Sequence, residues 1–367
     1  MGRAGRDAYI NPSSIAGSML GMDRIRIEAA AAMRELLNAE DIEGFYFTSG
    51  ATESNNWVMG PIARSLSYRT IIISDIEHPS VTEASAALAR EGFRLIKARV
   101  AGDGRLDLNN LSRLLDDNVA VVSVMAANNE TGVIQPIQEI GRIIRERSPG
   151  AIFHTDATQA IGKSSVDLQH DWGDVDLLSF SAHKFHGPKG VGGLYVRPGI
   201  SIPPFIVGGG QEEGLRSGTT NTPALAGLTI AAKQAMTSTG NEVAGIRDAF
   251  EAALTEKLPS AIVHSYQAPR LANTSCFSIP AGNAGEVVAA LAAKGIIVGT
   301  GSACSAGAAE PPHTLLRMGV NYEVAAAALR VSLSRYNSMR DVQTLLEALA
   351  TYVARRSPDE TASAVAV

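Results

Sequence analysis

The sequence contains little cysteine, and this scarcity excludes one class of fold. Only 2 of 367 residues are cysteine, too few for a disulfide framework and typical of a reducing compartment. Long apolar runs are absent as well, because no stretch approaches the roughly 18 apolar residues that a membrane-spanning helix needs. The first residues, Met1 to Asp7, are charged and precede no apolar segment, so an export signal is not expected either. We therefore predict a cytoplasmic protein that does not insert into a membrane.

Charge is modest and close to balanced. The 32 basic and 37 acidic side chains give a net charge of -5, which argues against a protein that binds nucleic acid directly or binds anionic membranes. Hydrophobic residues make up 45% of the chain, which excludes a disordered polypeptide. A chain of 367 residues exceeds the usual single domain, so two domains are expected.

The pattern of apolar residues divides the chain in two. Residues 10–238 alternate short, continuous apolar runs with helical patterns, as expected for a large α/β domain with a mostly parallel sheet. Residues 239–356 are predicted to form a smaller α+β domain with a loop around Cys304 followed by two helices, and residues 357–367 a flexible tail. The predicted strands of the large domain are 44–47, 70–73, 119–124, 151–154, 175–180 and 193–196.

Several of these strands end in unusually polar segments, and the carboxyl ends of parallel strands are where α/β proteins bind ligands. The segment after the first strand, with Thr52 as a hydroxyl donor, suits a phosphate but is equally consistent with a plain helix cap. His78 follows the next strand and could act as a catalytic residue that stacks on a cofactor ring or passes a proton, or it could serve only the loop structure. Asn129 could bond a ligand oxygen, although an Asx turn explains that run better by itself.

A carboxylate and a lysine stand out among the later strand ends. Asp156 ends an apolar strand, where a buried carboxylate is costly unless it is paired with a group such as a protonated ring nitrogen; a capping role is the alternative. Lys184 directly follows a buried strand and is favoured as a Schiff-base lysine over Lys189, which lies in an exposed Gly-Pro-Lys-Gly turn. Together, Asp156 and Lys184 are the pair that pyridoxal 5'-phosphate (PLP) chemistry requires.

The two cysteines lie in contrasting surroundings. Cys276 sits in a strand-like apolar run and is interpreted as inert packing. Cys304 lies in a loop of Gly, Ser and Ala residues, which makes it a candidate nucleophile. The loop 208–221 is rich in glycine and in residues that form hydrogen bonds, and a simple surface loop would also explain this composition.

With these segments in place, the chain resembles the cysteine desulfurases, PLP enzymes of aminotransferase class V and fold type I, from about residue 11 to residue 345. The Ser-Ala-Cys loop is similar to that of the group I branch. The motifs that carry the resemblance are Thr-Ser-Gly-Ala-Thr-Glu-Ser-Asn, Glu-His-Pro, Asn-Asn-Glu-Thr-Gly, Asp-Ala-Thr-Gln-Ala, Ser-Ala-His-Lys-Phe-His-Gly-Pro-Lys-Gly, Gly-Leu-Arg-Ser-Gly-Thr, Gly-Ser-Ala-Cys and Leu-Arg-Val-Ser-Leu-Ser-Arg.

The resemblance implies a role for each matching residue. Lys184 would form the Schiff base with PLP and remove the substrate's Cα proton, and Cys304, as thiolate, would take the substrate sulfur as a persulfide. Arg330 and Asn129 would bind the substrate, and no metal is implied. The residues implied to hold PLP are Ala51, Thr52, His78, Asn129, Asp156, Gln159, Ser181, His183 and Lys184, with Thr219 reaching across from a second subunit.

The resemblance also implies partners, and it leaves alternatives open. Its substrate would be L-cysteine, its assembly a homodimer, and its product sulfur would pass to an acceptor protein such as an iron–sulfur scaffold. A selenocysteine lyase, a pathway-specific sulfur donor of the same family and a weakened sulfur-relay scaffold are the alternatives.

The resemblance departs from the family pattern at the N-terminus. Only ten residues precede Asn11, and Ala16 replaces a histidine that usually follows the Asn-Pro-Ser-Ser motif. Either the natural start lies upstream, or the chain is trimmed, or the substrate entrance is altered.

Overall fold

A computed structural model of the chain describes residues 1–2, 10–237, 240–279, 283–300 and 310–356. The chain divides into two compact units. The first comprises Met1–Arg99, Leu106–Ala127 and Gln135–Ser238, and the second comprises Val100–Arg105, Asn128–Ile134 and Thr239–Val367. Two short segments from the first half of the sequence thus belong to the second unit. The two units therefore cannot be separated at a single position in the sequence.

The first unit is built on a seven-stranded sheet with the order β1-β7-β6-β5-β4-β2-β3. Strands β6, β5, β4, β2 and β3 run parallel, β7 pairs antiparallel with β6, and β1 pairs antiparallel with β7 at that edge. This sheet confirms the predicted α/β class. The strands are β1 (Phe45–Thr48), β2 (Thr70–Ser74), β3 (Arg94–Ala98), β4 (Val119–Ser123), β5 (Ile152–Asp156), β6 (Leu177–Ser181) and β7 (Gly192–Val196).

Burial explains why most of these strands were visible as continuous apolar runs. Every residue of β2, β4 and β6 is buried, because helices cover both faces of a parallel sheet. Strand β3 is the exception: it lies at the edge of the sheet, and its Arg94 and Lys97 are exposed.

Helices α1 to α8 belong to the first unit, and α1, α5, α6 and α8 each begin at a residue whose side chain caps the first turn. The His78 ring caps α5, which has proline at its first turn, and Asn221 caps α8 in the same way. The helices are α1 (Ile15–Met19), α2 (Arg24–Leu36), α3 (Ala51–Trp57), α4 (Ala63–Ser65), α5 (Pro79–Arg90), α6 (Leu108–Leu114), α7 (Ile137–Arg147) and α8 (Thr222–Met236); a π-helical turn (Val58–Ile62) joins α3 to α4.

The second unit contains a small antiparallel sheet with the order β10-β11-β9-β8. Its core includes Phe250 and Phe277, whose ring centroids lie 5.4 Å apart in an edge-on arrangement. The elements are α9 (Asn241–Lys257), β8 (Ile262–Val263), β9 (Thr274–Ser278), α10 (Ala284–Ala292), β10 (Gly299–Thr300), α11 (His313–Arg317), α12 (Tyr322–Ala326), β11 (Ala328–Ser332) and α13 (Met339–Arg356).

The sequence pattern was wrong about the number of helices after the Cys304 loop. Three follow it in the described part of the chain, because α11 and α12 are only 5 residues each and too short to show a helical period. Within the described ranges, no helix has the length and the apolar character that crossing a membrane requires.

Candidate functional site

Lys184 lies in a tight turn at the carboxyl end of β6. The turn is one short 3₁₀ segment, Ala182–Phe185, and it reverses at His186, whose φ of 69° is left-handed. The next residue, Gly187, lies so close to the turn that a Cβ there would be 2.8 Å from that of Ala182. The Lys184 side chain is half-buried, whereas Lys189, its rival in the sequence, is exposed.

Asp156 ends β5 and is only 5% exposed. Its Oδ2 accepts a hydrogen bond from Asn55 Nδ2 at 2.8 Å, and its Oδ1 accepts one from the backbone N–H of Thr158 at 2.9 Å. Both donors are neutral, so they orient the carboxylate without cancelling its charge. A buried carboxylate held in this way suits a cationic ligand atom.

His78 follows β2 and caps α5 through its ring. Its Nδ1 accepts from the backbone N–H of Ser80 at 3.1 Å and lies 2.8 Å from Ser80 Oγ. Burial lowers the pKa of His78, the nearby Lys184 lowers it further, and Asp156 opposes both effects. The ring is therefore neutral at neutral pH, and the same interactions show that His78, Asp156 and Lys184 lie near one another.

Sequence reasoning missed two residues that connect this group. Asn55 is fully buried, and its Nδ2 donates to Ser80 Oγ at 2.9 Å as well as to Asp156. One signal was present in the sequence: Asn55 lies one helical turn after Ala51, so its amide falls on the buried face of α3.

The turn between β1 and α3 brings together three of the residues implied to hold a phosphate. The backbone N–H of Ala51 donates to Ser181 Oγ at 2.8 Å, and Thr52 is exposed in the first turn of α3. Gly50 adopts φ 154° and ψ 176°, a conformation that essentially only glycine reaches. A Cβ on Gly192 of β7 would lie 2.7 Å from Gly50 Cα, so the close approach needs glycine at position 192.

His183 and Gln159 lie among lysines. Burial lowers the pKa of His183, and Lys184, Lys189 and Lys163 lower it further. That concentration of positive charge suits an anion such as a phosphate. Gln159 Oε1 accepts from Lys163 Nζ at 2.8 Å, which leaves the amide NH₂ as the group that could donate to a ligand oxygen.

Thr219 is exposed in the loop that precedes α8, and side-chain contacts hold this loop. Arg216 forms a two-point ion pair with Glu53 at 2.7 and 3.1 Å, and the N–H of Gly218 donates to Gln211 Oε1 at 2.9 Å. A cavity of about 190 Å³ lies beside Thr219 at the end of β1. Its lining includes Thr48, Ser49, Val191, Arg216 and Thr219.

In the second unit, the structure brings Asn129 and Arg330 together. Arg330 Nη1 donates to the backbone carbonyl of Asn129 at 2.9 Å. Arg330 pairs with Gly299 across β10 and β11, and a Cβ on Gly299 would lie 3.0 Å from Arg330 Nη2. The missing side chain at Gly299 therefore makes room for the guanidinium.

An Asx turn does form in this segment, but Asn128 forms it rather than Asn129. Asn128 Oδ1 accepts from the backbone N–H groups of Glu130 and Thr131, both at 2.9 Å. Burial raises the pKa of Glu130, whose Oε2 accepts from the N–H of Thr314 at 3.2 Å. The side chain of Asn129 is half-buried and is not part of the turn's hydrogen bonds.

Of the two cysteines, the structure describes Cys276. Cys304 lies outside the described residues. Cys276 is fully buried in β9, and burial raises the pKa of its thiol to about 12. A thiol in that state has almost no thiolate at neutral pH, as expected for a packing residue.

Two further titratable groups near Asp156 were missed by sequence reasoning. Burial raises the pKa of Glu77 to about 8, although its Oε1 accepts from Ser74 Oγ and, at 2.7 Å, from the N–H of Met125. Burial lowers the pKa of His154 to about 4. Both are therefore neutral at pH 7, and both interact electrostatically with Asp156. Among the described residues, no cluster of His, Cys, Asp and Glu has the make-up of a metal site.

Similarity to known proteins agrees with this arrangement. The sequence profile of the aminotransferase class-V family matches residues 10–345. A protein of Cereibacter sphaeroides named cysteine desulfurase is 39% identical over 345 residues, which cover 94% of this chain and 88% of the relative. A solved structure described as a NifS-like protein superposes with a TM-score of 0.88 at 34% identity, covering 96% of this chain and 93% of that one. Another, described as SspA in complex with cysteine, has a TM-score of 0.79 at 30% identity and covers 91% and 94%. The chain belongs to the aminotransferase class-V family.

Proposed function

We propose that the chain is a PLP-dependent cysteine desulfurase, which converts L-cysteine to L-alanine and carries the sulfur as a persulfide on Cys304. The observation that carries this proposal is Asp156, a buried carboxylate with two neutral hydrogen-bond donors that lies near His78 and Lys184. The names of the relatives support the choice of cysteine as substrate.

The donor set fits PLP. Asp156 would pair with the pyridinium nitrogen, the neutral ring of His78 would face the cofactor ring, and Gln159 would donate its amide to the phenolic oxygen. The close approach of Gly50 to Gly192 leaves a narrow turn whose backbone can meet a phosphate. The phosphate would be held by Ala51, Thr52, Ser181 and His183, with Thr219 supplied by a second copy.

When bound, PLP supplies an electron-poor ring that takes up negative charge from the substrate's Cα. The Lys184 amine would hold the cofactor's aldehyde and, once released, accept the Cα proton at Nζ. Its half-buried position near His78 and Asp156 would place the amine at the cofactor. Asp156 would keep its negative charge at the cofactor nitrogen throughout.

Substrate binding falls to the second unit in this proposal. The Arg330 guanidinium would bind the substrate carboxylate at two points, with Asn129 beside it. The Cys304 thiolate would attack the sulfur of L-cysteine and form an S–S bond while the substrate's Cβ–S bond breaks. The carbon keeps that electron pair and gains a proton to become alanine, so no added oxidant is required.

The proposal extends to assembly and location. A homodimer would supply Thr219 from one copy to the phosphate site of the other. The persulfide sulfur would pass to an acceptor protein such as an iron–sulfur scaffold. A reducing cytoplasm suits a chain whose persulfide carrier must return to the free thiol.

The first experiment compares Lys184→Ala with the matched control Lys189→Ala. The wild-type protein loaded with PLP should show a visible absorbance band that borohydride reduction fixes onto Lys184, as located by peptide mass mapping. Lys184→Ala should lose that adduct and alanine formation, whereas Lys189→Ala should retain both. An adduct on Lys189, or no adduct at all, would contradict the proposal.

A second comparison tests the sulfur carrier. Cys304→Ala should release no alanine from L-cysteine, and Cys276→Ala should retain most of the activity because its buried thiol takes no part. Continued alanine release by Cys304→Ala would favour a lyase that needs no loop cysteine. Cofactor binding without alanine or sulfide from the wild-type protein would favour a sulfur-relay scaffold.

A further inference from the structure

We propose that Asn55 is a positioning residue that joins Asp156 to His78 through Ser80 and thereby stabilises the neutral form of His78, with its proton on Nε2. The inference deepens the proposed function and rests on it, because Asp156 and His78 matter here as contacts of the cofactor ring.

The geometry places Asn55 at the centre of a hydrogen-bonded relay. Its side chain is fully buried in α3, and Nδ2 uses one hydrogen for Asp156 Oδ2 at 2.8 Å and the other for Ser80 Oγ at 2.9 Å. Ser80 Oγ in turn lies 2.8 Å from His78 Nδ1. These residues come from three separate segments of the sequence, so only the fold brings them together.

The orientation of the amide follows from its partners. The Asp156 carboxylate can only accept, so the amide must turn its NH₂ group toward it. In that orientation Asn55 Oδ1 is buried and has no hydrogen-bond partner among the residues that the structure describes. A buried acceptor without a partner costs stability. The fold accepts this cost at Asn55 Oδ1, because the same amide donates to both Asp156 and Ser80.

The relay also has a direction. The backbone N–H of Ser80 donates to His78 Nδ1 at 3.1 Å, so Nδ1 is an acceptor in the neutral ring and the proton sits on Nε2. Ser80 Oγ accepts from Asn55 and therefore has its own hydrogen available for Nδ1. Asn55 thus favours the neutral ring with an Nε2–H, the form whose face can lie against a cofactor.

The charges around the relay set the sign of its effect. His78 is near Asp156, which favours its protonation, and near Lys184, which disfavours it. Asp156 is also near Glu77 and His154, which burial keeps neutral at pH 7. Removing Asn55 would leave Asp156 with one donor fewer and Ser80 without its donor, and both changes favour protonation of His78.

The test measures the pKa of His78 in cofactor-free protein by NMR, with His78→Gln used to assign the signal. Asn55→Ala and Ser80→Ala should each raise this pKa by about half a unit or more, a roughly threefold change in proton affinity. The matched control is Asn56→Ala, because Asn56 is exposed on the same helix and donates only to the backbone of Thr52. It should leave the pKa unchanged.

The double variant tests the connection between the two residues. If Asn55 acts through Ser80, the combined shift should be smaller than the sum of the single shifts. Unchanged titration in both single variants, or full additivity in the double variant, would overturn the proposal. If Asn55→Ala fails to fold, Ser80→Ala alone still tests whether Ser80 donates to His78. Asn55→Ser, which has a shorter side chain, then takes the place of Asn55→Ala in the double variant.

A holoenzyme readout separates this inference from the proposed function. The pH dependence of the visible absorbance of PLP-loaded protein should shift in Asn55→Ala and not in Asn56→Ala. A protein that takes up no PLP would contradict the proposed function, and the titration of His78 in cofactor-free protein would still decide the relay.

Discussion

At the residue scale, the region around Asp156 contains several ionisable groups whose charge is set by burial. Glu77 and His154 are both buried near Asp156, and burial is the main cause that keeps each of them neutral at pH 7. Two carboxylates so close together in a buried setting would repel each other, and a protonated Glu77 avoids that repulsion. The neutral neighbours leave Asp156 as the charged partner for a ligand.

Glu77→Gln should change how stability depends on pH. The folded protein holds a proton on Glu77 up to a pKa of about 8, whereas the unfolded chain loses it near the ordinary value of 4.5. Between those values the folded state binds the extra proton, so this group lowers stability as the pH rises. Glutamine cannot ionise, and the variant should gain at least about 1 kcal/mol relative to wild type between about pH 5 and pH 8.

Paired thermal and urea unfolding curves across that pH range measure the difference, and the other titrating groups cancel in the comparison. Ser74→Ala is the control, because it removes a hydrogen bond to Glu77 and keeps the ionisable group. Parallel stability curves for wild type and Glu77→Gln would contradict the pKa assigned to Glu77.

At the element scale, the close contact of β7 with the turn after β1 depends on glycine. A Cβ on Gly192 would meet the carbonyl oxygen of Phe180 and would lie 2.7 Å from Gly50 Cα, both of them backbone atoms that cannot rotate away. We expect Gly192→Ala to destabilise the protein by about 1–3 kcal/mol and to weaken PLP binding, because Ala51 and Ser181 would be separated.

Gly245→Ala is the matched control for that substitution. Gly245 lies in helix α9, and a Cβ there would meet nothing within 4 Å, so alanine should stabilise the helix slightly. Urea unfolding and PLP titration measure both variants. Normal PLP affinity in a folded Gly192→Ala protein would show that the turn does not need this close approach.

Some strands could be predicted from the sequence and others could not. The strands buried on both faces were recognisable, because burial imposes continuous apolar runs such as those of β2 and β4. Strand β3 was missed because Arg94 and Lys97 interrupt its apolar pattern at the sheet edge. Strands β8 and β10 were missed because two residues are too few to show a period.

The candidate site was predictable only in part, for a related reason. Each residue that follows a parallel strand, such as His78, Asp156 and Lys184, could be placed at one sheet edge from topology alone. The relay depends on contacts that no local pattern encodes. Asn55 contacts Ser80, which is 25 positions away in the sequence, and Asp156, which is 101 positions away.

At the scale of the whole molecule, the first unit exposes large apolar side chains. Ile15 is 84% exposed, Met19 83% and Val207 86%, and Val207 directly precedes the loop that leads to Thr219. Exposed apolar surface of this kind favours association, and a second copy of the chain is the partner in the proposed dimer. Light scattering should give the mass of two chains.

Mixing Thr219→Ala with Lys184→Ala would test whether Thr219 acts across that dimer. Thr219→Ala should weaken PLP binding, and Lys184→Ala should remove activity altogether. In a mixed dimer, the site that contains Lys184 receives an intact Thr219 from the other copy if the residue acts in trans, so mixing should restore alanine formation at limiting PLP. The control replaces Lys184→Ala with the variant that carries both substitutions, which cannot supply Thr219 and should restore nothing. If the first mixture never exceeds Thr219→Ala alone although subunits exchange, Thr219 does not act on the other copy's site, because each copy would then depend on its own threonine.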